Sequence, residues 1–195
     1  MKPLSKEEIL SFEDWERVRP RLRPLFIHAK NRRRLALGPH LTLLFENGQT
    51  IWYQVEEMLR AEKIAAPDAI QHEIDTYNEL LPPAGGLAAT MLIEFGEPRE
   101  RDAALRRLVG LENHVWLRLG DRRIAAKFDT RQMSSERISS VQFIHFDVSI
   151  SADRFEELAA AGKAVIEIDH PHLAVRETLS GALAQALAED LRAEI

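Results

Sequence analysis

Apolar side chains recur along this chain with two different periods, and the periods mark out its elements. Leu41, Leu43 and Phe45 alternate with Thr42, Leu44 and Glu46, which predicts a strand with one wholly apolar face. Asn47 and Gly48 end it. Ile51, Val55, Met58 and Leu59 then fall at helical spacing, and Pro67 and Asp68 open a second helix with Ile70, Ile74 and Tyr77 on its buried face. Pro82, Pro83, Gly85 and Gly86 break the pattern. Beyond them the chain reads as a strand over 87–95, a helix over 98–109 stopped by Gly110, and a strand carrying Val115, Leu117 and Leu119. The last of these turns at Gly120 and Asp121 into a partner over 122–127. The polar stretch 129–140 reads as a loop. A strand over 141–150, a helix over 153–161 stopped by Gly162, a strand over 164–168 and an amphipathic helix over 179–191 complete the chain.

The first forty residues follow a different logic. Ser5 precedes Glu8 and Ser11 precedes Asp14 by three positions, the spacing of a capping box. A helix is expected from Ser11, carrying Trp15 and Val18. Pro20 and Pro24 are expected to interrupt it, because proline lacks the amide donor and clashes with the preceding turn. A short helix should resume at Pro24 with Leu25, His28, Ala29 and Arg32 on one face.

Helices and strands intermix without a regular βαβ cadence. The expected fold class is therefore α+β: a mostly antiparallel sheet with helices packed on one side and a helical N-terminal region. At 195 residues the chain is expected to form a single domain, 1–195, with 82–86 as the place where two lobes would divide. It has no cysteine, which excludes disulfides, Cys-ligated iron–sulfur clusters, thiolate metal sites and cysteine nucleophiles. No signal-peptide pattern and no membrane-spanning apolar run occur, so a cytoplasmic protein is expected. Net charge is −5 but uneven: residues 1–40 hold ten Lys or Arg against five Asp or Glu. Such an arm suits an acidic partner or a solvated surface.

The sequence contains no GxGxxG, Walker A, GxSxG or HExxH pattern. Five groups of residues carry candidate chemistry. His40 and Glu46 share a strand face but stand roughly 20 Å apart if the strand is regular. Gln54 and Glu57 flank the apolar stripe of one middle helix, and Glu73 lies beside Tyr77 on the next. A half-buried Glu73 needs a compensating group: Arg60, one of Arg32, Arg33 and Arg34, or a cation. Asp169, His170 and His172, spaced by Pro171, have a donor set that suits a divalent ion and equally an ordinary strand-ending turn. His145 and Asp147 share a strand face. Arg17, Arg19, Arg21 and Arg23, followed by Arg32, Arg33 and Arg34, offer phosphate-binding charge, but aromatic interleaving is thin and the chain is acidic overall, which argues against nucleic acid.

The blocks from Arg34 through Gly38 and His40 to Glu46, from Tyr53 to Arg60, from Glu73 to Asn78, from Ser140 to Phe143, and Asp169 to Pro171 resemble, in order and spacing, an uncharacterised bacterial family that carries only a domain-of-unknown-function label. The likeness spans nearly the whole chain. Its pattern matches here at Arg34, Gly38, His40, Glu46, Gln54, Glu57, Arg60, Glu73, Tyr77, Asn78, Asp169 and His170; it carries histidine where this chain has Gln142, and His145 lies outside it. The resemblance implies a redox or peroxide-defence setting, because such proteins are often encoded beside rubrerythrin-like proteins and heterodisulfide-reductase-like iron–sulfur oxidoreductases.

Three readings follow. The first is an accessory protein that docks onto such a redox partner through the arm at Arg32, Arg33 and Arg34. The second is an enzyme or sensor with a polar pocket drawn from His40, Gln54, Glu57, Arg60, Glu73, Tyr77 and Asn78, or a metal site drawn from His40, Glu57, Glu73, Asp169 and His170. The third is a nucleic-acid-binding regulator using the arginine arm.

Overall fold

A computed structural model describes residues 2–129, 131 and 134–193. Those residues form α1 (Phe12–Asn31), β1 (Arg34–Leu37), β2 (Leu41–Glu46), α2 (Gly48–Ala61), α3 (Pro67–Asn78), β3 (Leu87–Ile93), α4 (Pro98–Arg107), β4 (Val115–Leu119), β5 (Arg122–Ala125), β6 (Lys127–Phe128), β7 (Val141–Phe146), α5 (Ala152–Ala160), β8 (Ala164–His170), β9 (Leu173–Thr178) and α6 (Gly181–Arg192). Short 3-10 turns lie at Lys6–Glu8 and Leu111–Asn113. The fold is α+β with antiparallel pairing and a helical N-terminal region, as the patterning predicts. Its strands divide between two sheets rather than one, in the orders β1-β2-β3-β7-β6 and β5-β4-β8-β9. Residues 130, 132 and 133 of the expected loop lie outside the described residues.

The two sheets are joined at one margin by a single stretch of chain. β5 pairs with β4 in one sheet, and two residues later β6 pairs with β7 in the other. At the opposite margin β1 comes against β9. Between the sheets, Leu41, Leu43 and Phe45 of β2, Met91 of β3, Leu117 of β4, Phe146 of β7 and Ile166 of β8 share one core with Leu105 of α4, Phe155 of α5 and Leu187 of α6. Every one of these residues sits on the apolar phase of its alternation, so binary pattern alone directs them inward. Residues on both sides of 82–86 enter this core. At Gly86 an added Cβ would stand 2.8 Å from the Phe146 carbonyl oxygen and 2.6 Å from the Pro83 ring, so only glycine lets the break pack onto β7.

α1 runs unbroken through Pro20 and Pro24, against the expected interruption. Both prolines are exposed, so the carbonyls they leave unpaired face water. The opposite face is held by packing on α2: Phe26 stacks on Tyr53 at 4.7 Å, Trp15 meets the edge of Trp52 at 5.5 Å, and Arg19 grips Glu57. Tertiary contact thus outweighs a local cost of about 3 kcal/mol per interior proline. The inward residue of the second half of α1 is Phe26, and Leu25 is 65% exposed, which reverses the expected face. A second, smaller core of Val55, Leu59 and Ile74 joins α2 to α3.

The N-terminal segment is clasped onto these helices. Asn78 accepts from the Leu4 N–H at 2.8 Å and donates to its carbonyl at 2.9 Å. The Trp52 indole donates to the Glu8 carbonyl, and Glu56 accepts from the Leu10 N–H at 2.8 Å. Burial pushes the Glu56 carboxyl up to about 7.

Candidate functional site

A polar cavity of about 210 Å³ lies on the face of the first sheet turned away from the main core. Cross-strand register constructs it. Glu46 at the end of β2 opposes Ala88 on β3, and Ala88 opposes His145 on β7. Directly opposed residues point to the same face, and neighbouring strands lie about 4.8 Å apart, so the Cα atoms of Glu46 and His145 are roughly 10 Å apart across an alanine. The small Ala88 is the floor; a larger residue there would fill the space. Phe128, Phe143, Leu80 and Leu81 supply apolar wall, and Glu79, Asp129 and Arg131 stand at the rim.

Glu46 is 2% exposed. Its carboxylate accepts from the Thr50 hydroxyl at 2.5 Å, the Thr90 hydroxyl at 2.8 Å and the Gln54 amide at 3.2 Å. All three donors are neutral, and among the described residues no cation hydrogen-bonds to it. Local structure explains two of the donors. Asn47 caps α2 and exchanges hydrogen bonds with Thr50, which turns the first helical turn back over the strand end; Thr50 and Gln54 then stand four and eight residues after Glu46, on one face of the helix. Lys30 on α1 is drawn electrostatically toward Glu46, while burial holds its ammonium below the usual range. Burial, then Glu73 and Glu46, raises the Tyr77 hydroxyl. Burial also lowers His145, which favours its neutral imidazole. Arg131 is held by Asp129 and Glu79, and lowers Asp129 in return.

The residues singled out in the sequence separate into distinct environments. Gln54 belongs to the Glu46 cluster, and Tyr77 lies within its electrostatic reach. Glu57 instead makes a two-pronged ion pair with Arg19, at 2.6 and 2.8 Å, and accepts from the Trp15 indole. Arg60 pairs with Glu16, not with Glu73. Glu73 is half-buried, and among the described residues neither Arg60 nor any of Arg32, Arg33 and Arg34 pairs with it. Asn78 secures the N-terminal segment. His40 lies outside the sheet, stacked on Phe95 at 4.0 Å with its Nδ1 3.1 Å from the Glu94 carbonyl oxygen.

The expected metal set of His40, Glu57, Glu73, Asp169 and His170 does not converge: among the described residues no three His, Asp or Glu side chains stand together as a metal site. His170 is buried, and both its ring nitrogens are engaged, Nε2 with the Val109 carbonyl and Nδ1 with the His172 N–H. Pro171 and His172 form a tight turn between β8 and β9, in line with the strand-ending turn, one of the two readings of this segment. Asp169 lies on the open face of the second sheet, where Arg123, the Trp116 indole and His114 hydrogen-bond to it and hold its carboxyl down at about 2. Asp147 pairs with Lys127.

The arginine arm is likewise divided. Arg33 is buried and forms a two-pronged pair with Asp190 of α6, which also accepts from Asn47. Arg32 faces Glu189 at 3.6 Å, and Arg34 is exposed. Arg17 pairs with Asp14.

Sequence reasoning missed Thr50, Thr90 and Lys30, and joined His145 to Asp147 rather than to Glu46. The usable signal was Glu46 itself, an acid closing an apolar strand, with hydroxyl and amide side chains one and two helical turns later.

No match is found among curated proteins. A crystal structure at 1.90 Å of a novel protein of unknown function from Burkholderia pseudomallei K96243 is similar to this chain: 36% sequence identity, a TM-score of 0.86, and coverage of 97% of this chain and all of that one. Residues 3–191 match the family described as protein of unknown function, DUF3501, and the chain belongs to that family.

Proposed function

We propose that this protein binds a small, cationic, hydrogen-bond-donating molecule between Glu46 and His145, as a sensor or an enzyme. The observation that carries the reading is a nearly fully buried carboxylate satisfied only by neutral donors and facing a cavity. Lys30 attracts this carboxylate electrostatically, but burying a charge with no cation hydrogen-bonded to it is expensive, and an apolar residue at position 46 would fold more favourably. Among the described residues the lining adds Glu79 and Asp129 against one cation, Arg131, so the cavity disfavours anions. Its volume lies below the range of about 300–1,000 Å³ usual for drug-sized ligands, which favours a compact amine or amidine over a nucleotide. A carboxylate and a neutral imidazole facing one another give such a ligand two proton acceptors. The test is a thermal-shift series with methylguanidine, ethanolamine, acetamide and acetate. The cations should raise the melting temperature of the wild type but not of Glu46→Gln; stabilisation by acetate, or an unchanged response in Glu46→Gln, would contradict the reading.

The second reading is the accessory protein of a redox system, docking onto a rubrerythrin-like or iron–sulfur oxidoreductase partner. It is favoured by α1, along which the apolar Phe12 (53% exposed), Leu25 and Ile27 and the arginines Arg17, Arg21 and Arg23 are open to solvent. Leu25→Asp should weaken capture of such a partner and leave folding intact.

A further inference from the structure

His40 belongs to a different cavity, about 330 Å³, enclosed by the turn between β1 and β2, the C-terminal end of α4, Phe95 and the turn before β9. Its chemistry is the reverse of the Glu46 site. Leu37, Leu41, Ala104 and Leu108 are buried and make an apolar floor. His40, Arg107 and His172 are the polar side chains on the wall. No carboxylate lines it among the described residues, in a chain where acids outnumber bases by 31 to 26.

Arg107 is the distinctive group. Arg106 beside it is paired with Asp102. Arg107 is exposed and has no hydrogen bond or ion pair to any described residue. It stands at the C-terminal end of α4, where a cation suits the helix dipole, and its side chain borders an apolar hollow. The His40–Phe95 stack presents a flat aromatic surface to the same space, and His40 is fixed there by the Glu94 carbonyl. Apolar floor, aromatic wall and one unpaired guanidinium at the rim are the components that recognise an amphipathic anion.

We propose that this cavity binds an amphipathic carboxylate, its apolar or aromatic body resting on Leu37, Leu41 and Leu108 and its carboxylate meeting Arg107. The site shares no lining residue with the Glu46 cavity and stands independently of that reading.

The test uses the full chain and 2-naphthoate as probe in calorimetric titration, with 2-naphthamide as its uncharged counterpart. Naphthoate should bind at least tenfold more tightly than naphthamide. Arg107→Met should weaken naphthoate at least tenfold and move the melting temperature little, since the Arg107 side chain makes no hydrogen bond or ion pair to a described residue, while Glu46→Gln should leave the affinity unchanged. Absence of naphthoate binding, equal affinity for the amide, or an Arg107→Met variant that binds as the wild type does would each overturn the proposal.

Discussion

Glu56 is 2% exposed on α2, accepts the Leu10 N–H, and has a carboxyl pushed from its ordinary 4.5 up to about 7, chiefly by burial. Its stability contribution therefore has a definite sign. Between those values the unfolded chain has lost the proton while the folded chain still holds it, so the folded state binds more protons and stability falls as pH rises. The contribution is fully present below pH 4.5 and is lost by the time pH has passed through 7. At 1.36 kcal/mol for each pH unit between the two values, the loss comes to about 3 kcal/mol. Glu56→Gln keeps an oxygen for the Leu10 N–H and cannot ionise, so it removes this dependence alone. Urea unfolding of wild type and Glu56→Gln at pH 4.5 and at pH 8 gives the double difference. The two proteins should be nearly equal at pH 4.5, and the variant should be more stable by about 3 kcal/mol at pH 8. A difference that stays constant between the two pH values would refute the claim that Glu56 carries a proton in the folded state.

Two further outcomes follow from the packing. Asp190→Ala leaves the Arg33 guanidinium buried without its counter-charge and should cost about 3–5 kcal/mol in urea unfolding, whereas Arg34→Ala, at an exposed position, should stay within about 0.5 kcal/mol of wild type. Because β2 pairs with β3 across the Pro/Gly break, limited proteolysis should cut at the termini or within 129–139 before it cuts at 82–86; two stable fragments meeting near Gly85 would show separate lobes.

The parts of the fold legible in the sequence are those whose burial is set by local alternation. β2 and β4 each send every second residue into the core, and α2 and α3 carry unbroken apolar stripes. β1 and β9 were not legible because they are edge strands with few buried positions: Leu37 alone is buried in β1, and no residue of β9 is. The continuity of α1 was illegible for another reason. Nothing near Pro20 or Pro24 announces that Tyr53, Trp52 and Glu57 will cover the far side of the helix. The site divides the same way. Gln54 and Tyr77 could be placed by helix geometry, whereas Glu46 was noted only for sharing a strand face with His40. Thr90 and His145 could not be joined to it, because their proximity is created by the β2–β3 and β3–β7 registers, which bring residues 46, 88 and 145 into one row.

The central claim, that Glu46 and His145 face one another across a ligand, is tested most directly by the imidazole resonances in NMR. With the seven histidines assigned by substitution, titration with methylguanidine should shift His145 selectively, leave His40 and His172 in place, and have no effect in Glu46→Gln. No shift at His145, or an equal shift when residue 46 is glutamine, would contradict the account.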